Sequence, residues 1–226
     1  MKPESPINAI SPFVIVLAAL IVGVELVLQM ANFGLIGGPR GVGWRLMAIE
    51  DYGVTGAVMD RVFRFGDYSF DVLKRFVTYP FINGNATQVA FCAALTLALG
   101  KFTADFYGGF KVFCIFIASA VVGAAVYGLV VSTGYRLIGG FPPVYGLIGA
   151  YTYALWLNLA QKGEKQLQAF RLIGFLLGLQ LVYGVIFGAG YGWVAELSGF
   201  ATGFALSPLL APGGWTTFLA RMRQRS

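Results

Sequence analysis

Six long apolar runs alternate with more polar segments along the 226-residue chain. A helix that crosses a bilayer needs about 20 mostly apolar residues. In lipid, an open sheet would leave backbone groups without hydrogen-bond partners. The pattern therefore predicts an all-α, polytopic membrane protein with a bundle of six transmembrane helices. The predicted spans are Phe13–Leu35, Phe81–Gly100, Phe110–Val131, Pro143–Ala160, Phe170–Gly188 and Trp193–Ala211.

The composition supports a membrane protein. Hydrophobic residues make up 58% of the chain and charged residues 12%, whereas soluble domains carry about 25% charged residues. The 31 glycines suit close helix packing in lipid. Cys92 and Cys114 both lie in apolar runs, which favours packed thiols over a disulfide or a metal site. No motif for a metal or a cofactor stands out, so we expect neither.

The segment 37–80, between the first two spans, is too long for a plain loop. Part of it has one apolar and one charged helical face, with Val58, Met59, Val62 and Phe63 opposite Asp60, Arg61 and Arg64. This pattern indicates either a helix in the membrane interface or a surface helix packed on the bundle. We divide the chain into a tail (1–12), a membrane domain (13–211) and a basic tail (212–226).

Lysine and arginine positions predict the orientation, because short loops rich in these residues stay in the cytoplasm. One side of the predicted bundle carries Lys2, Lys101, Lys111, Lys162, Lys165, Arg171, Arg221, Arg223 and Arg225. The short loops of the other side carry only Arg136, and long segments count less. Both termini are therefore predicted to be cytoplasmic, with 37–80 facing outward. The net charge of +6 needs no nucleic-acid partner, since basic residues also contact anionic lipid.

Several short motifs occur in a fixed order along these spans. They are Gly43-Trp44-Arg45, Leu73-Lys74-Arg75-Phe76-Val77-Thr78-Tyr79-Pro80-Phe81, Phe106-Tyr107-Gly108, Tyr145-Gly146-Leu147-Ile148-Gly149-Ala150 and Gly199-x-x-x-Gly203. In order and spacing the chain resembles the rhomboid family of intramembrane serine proteases over about residues 40–211. The resemblance implies the six-helix rhomboid fold and a location in the bacterial inner membrane.

The resemblance also implies where the family's chemistry would lie. The serine nucleophile, at the start of the fourth span, corresponds to Phe141. The histidine base of the sixth span corresponds to Glu196, and the chain contains no histidine at all. The second-span positions that help to form the oxyanion hole correspond to Asn83, Gln88 and Cys92. Every position at which rhomboids do chemistry is therefore exchanged.

A different catalytic pair would need other residues. Ser198, Thr202 and Ser119 lie within predicted spans, but a hydroxyl nucleophile needs an adjacent base. Every lysine lies at a span end or in a loop, which disfavours a Ser-Lys pair. Glu196 would then have to act as the base. An aspartyl-type mechanism would need two carboxylates that approach each other, and Glu25 and Glu196 are the carboxylates deep within predicted spans.

An ionisable side chain inside a span costs about 2.5–3.5 kcal/mol on insertion scales. Glu196 is expected to point into the bundle. There it would contact a bound peptide or water, or form a hydrogen bond to Asn83, Gln88 or a loop backbone group. Glu25 and Gln29 form a polar stripe on the first span. This stripe suits hydrogen bonds between helices, and a proton relay is the alternative.

Small residues spaced along the fourth and sixth spans allow helix backbones to approach closely. We assign a packing role to Gly146, Gly149, Ala150, Gly199 and Gly203.

The leading hypothesis is a rhomboid-like pseudoprotease that binds transmembrane client proteins without cleaving them. A client helix would enter near the second and fifth spans and contact Asn83, Gln88, Phe141 and Glu196. The alternatives are an intramembrane serine endopeptidase and a small ion or solute transporter that uses Glu25 and Glu196. The expected partners are the lipid bilayer and such clients, and the oligomeric state stays open.

Overall fold

The computed structural model describes residues 10–131, 134–187 and 190–213. Regular structure there is helical, apart from an antiparallel bridge between Val54 and Leu137. The long helices are α1 (Pro12–Asn32), α6 (Ala86–Tyr107), α7 (Gly109–Val130), α8 (Phe141–Gln161), α9 (Arg171–Phe187) and α10 (Gly192–Leu210). The short helices are α2 (Trp44–Tyr52), α3 (Gly56–Phe63), α4 (Phe70–Leu73) and α5 (Arg75–Thr78). Three 3-10 turns span Gly38–Gly43, Tyr79–Phe81 and Gln166–Phe170. The predicted tail cations Lys2, Arg221, Arg223 and Arg225, and residue 188 at the predicted end of the fifth span, lie outside the described residues.

Each predicted span contains one long helix, but the second span is displaced. It was predicted at Phe81–Gly100, whereas α6 covers Ala86–Tyr107. The Asn85 side chain accepts a hydrogen bond from the Gln88 backbone at 2.8 Å and caps the helix at that point. Hydropathy does not register a cap, so the apolar residues of the preceding turn were wrongly counted as helix.

Among the described residues, α1, α6 and α7 are long and apolar enough to cross a membrane. By contrast, α8 and α10 contain 21 and 19 residues but also many small and polar ones. The run from Pro142 to Ala150 in α8 is buried throughout. A helix surrounded by protein has less surface to present to lipid, and this accounts for its lower hydropathy.

Helix α8 lies at the centre of the bundle, against α10, α7 and α6, while α1 packs on α6 and α7. Two buried tyrosines form hydrogen bonds that link neighbouring elements to this core. The Tyr79 hydroxyl donates to the Ala120 carbonyl at 3.0 Å, and the Tyr107 hydroxyl donates to the Ala150 carbonyl at 3.0 Å. The aromatic rings therefore fill the core and still have partners for their polar atoms.

The segment between α1 and α6 folds into α2–α5 and covers one end of α7. Val58, Met59 and Val62 of α3 are buried in this contact. Phe63, predicted on the same apolar face, is 66% exposed. At about 100° per residue it lies about 40° beyond Met59, outside the arc that meets α7. The contact with α7 favours the surface-helix interpretation of α3.

Candidate functional site

Gln88 and Cys92 lie in α6, whereas Asn83, predicted in the second span, precedes that helix. All three face one short segment immediately before α8. A Cβ atom built on Gly139 would lie 3.3 Å from the side-chain oxygen of Asn83 and still closer to the amide nitrogen of Gln88. A Cβ atom on Gly140 would collide with the Cys92 sulfur. The structure thus gathers Asn83, Gln88 and Cys92 around the segment that leads into Phe141.

The backbone of this segment is fixed by its own geometry. Gly139 has a φ of 93°, which L side chains rarely adopt. Its N–H donates to the Tyr79 carbonyl at 3.1 Å. Phe141 follows as the first residue of α8 and is partly buried, and Pro142 behind it is buried. Phe141 therefore follows directly on Gly139 and Gly140, which contact the polar cluster formed by Asn83, Gln88 and Cys92.

Asn83 is the most unusual member of this polar cluster. The residue is 1% exposed, and neither polar atom of its side chain has a hydrogen-bond partner within the described part of the chain. Leaving such a group unpaired costs about 1–3 kcal/mol. The structure therefore holds a buried amide whose donor and acceptor atoms are both unsatisfied within the described residues.

Glu196 lies at the same end of the bundle as Phe141. It precedes Gly199 by about one turn, and Gly199 packs directly on the backbone of Pro142. Its carboxylate is half-buried and interacts electrostatically with the Tyr145 phenol. The alternative of a hydrogen bond from Glu196 to Asn83 is wrong, because the Asn83 amide has no partner there.

The predicted small residues lie where α8 and α10 pass each other. Gly203 lies on the carbonyl of Gly146, and Gly149 lies on the carbonyl of Phe200. In each pair a Cβ atom on the glycine would collide with backbone atoms of the other helix. The carbonyl of Ala150 accepts the Tyr107 hydrogen bond. These contacts hold Phe141 and Glu196 at a fixed spacing.

Glu25 has a strong partner that sequence reasoning missed. The residue is 5% exposed, and Arg45 of α2 binds both of its carboxylate oxygens, at 2.7 and 3.0 Å. Gln29 donates to the same carboxylate at 2.8 Å, and Arg45 also donates to the Asn83 backbone carbonyl at 2.7 Å. The Gly43-Trp44-Arg45 motif was a usable signal, because a buried carboxylate needs a cation.

The hydroxyls considered as replacement nucleophiles are engaged or inaccessible. Ser198 donates to the Val194 carbonyl at 2.6 Å, and Thr202 donates to the Ser198 carbonyl at 2.7 Å. Ser119 is fully buried against Gly146. The structure therefore places none of these three hydroxyls in contact with a base at an open surface.

Residues 71–213 match the family model of the Rhomboid domain. The chain belongs to the rhomboid family. The match runs from α4 to the end of α10, so it includes the rhomboid segment around Phe141 and Glu196. Its family and its apolar helices indicate that this rhomboid is an integral membrane protein. The comparison with curated proteins finds no match.

Proposed function

We propose that this rhomboid-family protein is a pseudoprotease that binds membrane-spanning clients without cutting them. The proposal rests on the residues that stand where the family has its catalytic serine and histidine. Phe141 has no atom that can attack a carbonyl. Glu196 replaces the imidazole that would accept the nucleophile's proton. The helix packing around both positions is that of an intact bundle.

The site still offers groups that can hold a peptide segment. Asn83 presents an unpaired amide, Glu196 a half-buried carboxylate and Phe141 a partly buried ring. Gln88 lies beside Asn83, although its side-chain oxygen already accepts from the Gly84 backbone at 3.0 Å. A client whose helix unwinds locally would expose backbone N–H and C=O groups, which need such partners inside a membrane.

Lateral access next to α9 is part of the proposal. Among the α9 side chains that are described, Ile173 is buried, whereas Phe175, Leu179 and Val182 are exposed. This helix is therefore less enclosed than α8, and we place the entry of the client helix beside it. We further propose six spans, cytoplasmic termini and the bacterial inner membrane as the setting.

Rhomboid membership keeps a second candidate, an intramembrane serine endopeptidase. It would need a nucleophile and a base other than those at the family's positions. Transport through Glu25 and Glu196 has less support, because Arg45 neutralises Glu25.

Active-site labelling separates the two main candidates. We expect no fluorophosphonate labelling of the purified chain and no cleavage of a panel of transmembrane substrates. An active rhomboid protease serves as the positive control. Phe141→Ser is expected to stay unlabelled too, since the site has no imidazole to activate a hydroxyl. Labelling of a wild-type serine, lost when that serine is replaced, would establish the endopeptidase and overturn the proposal.

A further inference from the structure

Charge is distributed unequally between the two ends of the bundle. The first-loop end is the end that carries α2–α5 and the polar cluster. Its cations are Arg40, Arg45, Arg61, Arg64, Lys74, Arg75 and Arg136. An equal number of acids lies at this end, namely Glu25, Glu50, Asp51, Asp60, Asp67, Asp71 and Glu196.

Most of these charges are matched in pairs. The ion pairs are Arg45–Glu25, Arg61–Asp67, Arg64–Asp60, Lys74–Asp71 and Arg136–Glu50. Hydrogen bonds from Ser69, and then from Arg61, lower the pKa of Asp67 to about 2, so this acid stays charged at neutral pH. The first-loop end therefore has little net positive charge to offer an anion.

The connection between α8 and α9, at the other end, differs in this respect. It contains Lys162, Lys165 and Arg171 against a single acid, Glu164. All four side chains are exposed, and within the described residues none of them forms an ion pair. This end therefore has positive charge that is free to attract an anion.

Two of these cations line a cleft. Lys165, Gln166, Leu167, Gln168 and Arg171, all from the turn between α8 and α9, line an open hollow of about 450 Å³. An ammonium, a guanidinium and two amides are donors that suit the oxygens of a phosphate group. Apolar atoms form most of the wall of the cleft, and these donors stand at its edge.

The cleft stands on a fixed turn. Ala169 of the 3-10 turn is buried, and the Phe170 ring lies 5.6 Å from the Phe204 ring of α10. On the α8 side, Gly163 has a φ of 70°, and the Glu164 N–H donates to the Leu159 carbonyl at 2.9 Å, which closes the helix end. The turn therefore fixes the backbone that carries these donors.

The surface beyond the cleft is apolar. Leu167 is 83% exposed, and Phe175 and Leu179, further along α9, are 67% and 57% exposed. A free phosphate ion would contact only the polar donors of the cleft. A phospholipid would contact these donors with its headgroup and the apolar surface with its acyl chains. We propose that this cleft binds the phosphate headgroup of an anionic phospholipid, whose acyl chains lie along the exposed side of α9.

A titration of the purified full-length chain in neutral detergent tests the proposal. The probe is short-chain phosphatidylglycerol, and phosphatidylcholine with the same chains is the neutral reference. The variant is Lys165→Gln/Arg171→Gln. Each basic residue near an anionic surface contributes about 1 kcal/mol, so the dissociation constant is expected to rise roughly 30-fold.

The control is Arg40→Gln/Arg64→Gln, which removes two exposed cations at the first-loop end and is expected to leave binding unchanged. Melting temperatures verify that both variants are folded. Equal phosphatidylglycerol binding by the wild type and the cleft variant would overturn the proposal, as would wild-type binding of phosphatidylcholine with the same affinity. Displacement of the lipid by millimolar inorganic phosphate would also contradict it, by showing a free-phosphate site.

Discussion

Replacing Gly203 with alanine is expected to destabilise the protein by at least about 2 kcal/mol. The added Cβ atom would collide with the carbonyl oxygen, the carbonyl carbon and the Cα atom of Gly146. Backbone atoms in the middle of a packed helix cannot rotate away as a flexible side chain can, so α8 and α10 must move apart. The melting temperature in detergent measures the loss, and a fall of several degrees is expected.

Gly23 provides the matched control, because it lies within α1 with nothing within 4 Å of a built Cβ atom. Alanine there removes backbone freedom from the unfolded chain without a collision, so Gly23→Ala is expected to be neutral or stabilising by up to about 1 kcal/mol. Equal melting temperatures for Gly203→Ala and Gly23→Ala would contradict the close contact of α8 with α10.

Replacing Glu25 with glutamine is expected to cost about 3 kcal/mol, because it leaves the Arg45 charge largely buried without its partner. Arg45 joins the first loop to α1 and to the Asn83 carbonyl, so its release also loosens the polar cluster. The free energy of unfolding and the rate of proteolysis within residues 37–80 are the two measurements. We expect a lower stability and faster cleavage.

Two further variants separate the ion pair from general charge loss. Glu25→Gln/Arg45→Gln removes both charges and is expected to recover part of the stability lost in Glu25→Gln. Arg64→Gln breaks the exposed pair with Asp60 and is expected to change stability by about 1 kcal/mol or less. A Glu25→Gln variant as stable as the wild type would show that this ion pair does not hold the loop.

Hydropathy predicted where the helices lie more accurately than where they begin. Apolar runs marked all six long helices, because each must bury apolar surface in lipid or protein. The start of α6 was wrong because the Asn85 cap acts through one hydrogen bond. Helix α2 was missed because it carries a mixture of apolar and charged residues without a clear buried face. Local hydrogen bonds and tertiary contacts decide such short elements.

The candidate site was predictable by position but not by its polar contacts. The family resemblance located Asn83, Gln88 and Cys92, and the structure gathers them at one segment. The Arg45–Glu25 pair joins residues 20 positions apart in sequence, and no periodicity links them. The unpaired amide of Asn83 has no signature in the sequence either. Such contacts depend on the folded geometry.

The most direct test of the pseudoprotease account is photo-crosslinking from position 141 in native membranes. A photoreactive residue replaces Phe141, and one at exposed Leu26 of α1 is the control. The mass of each adduct shows whether the captured partner is intact or cleaved. The account predicts adducts with membrane-spanning proteins at their full length, from position 141 and not from position 26. Adducts that contain only a cleaved fragment would contradict it, as would identical capture from both positions.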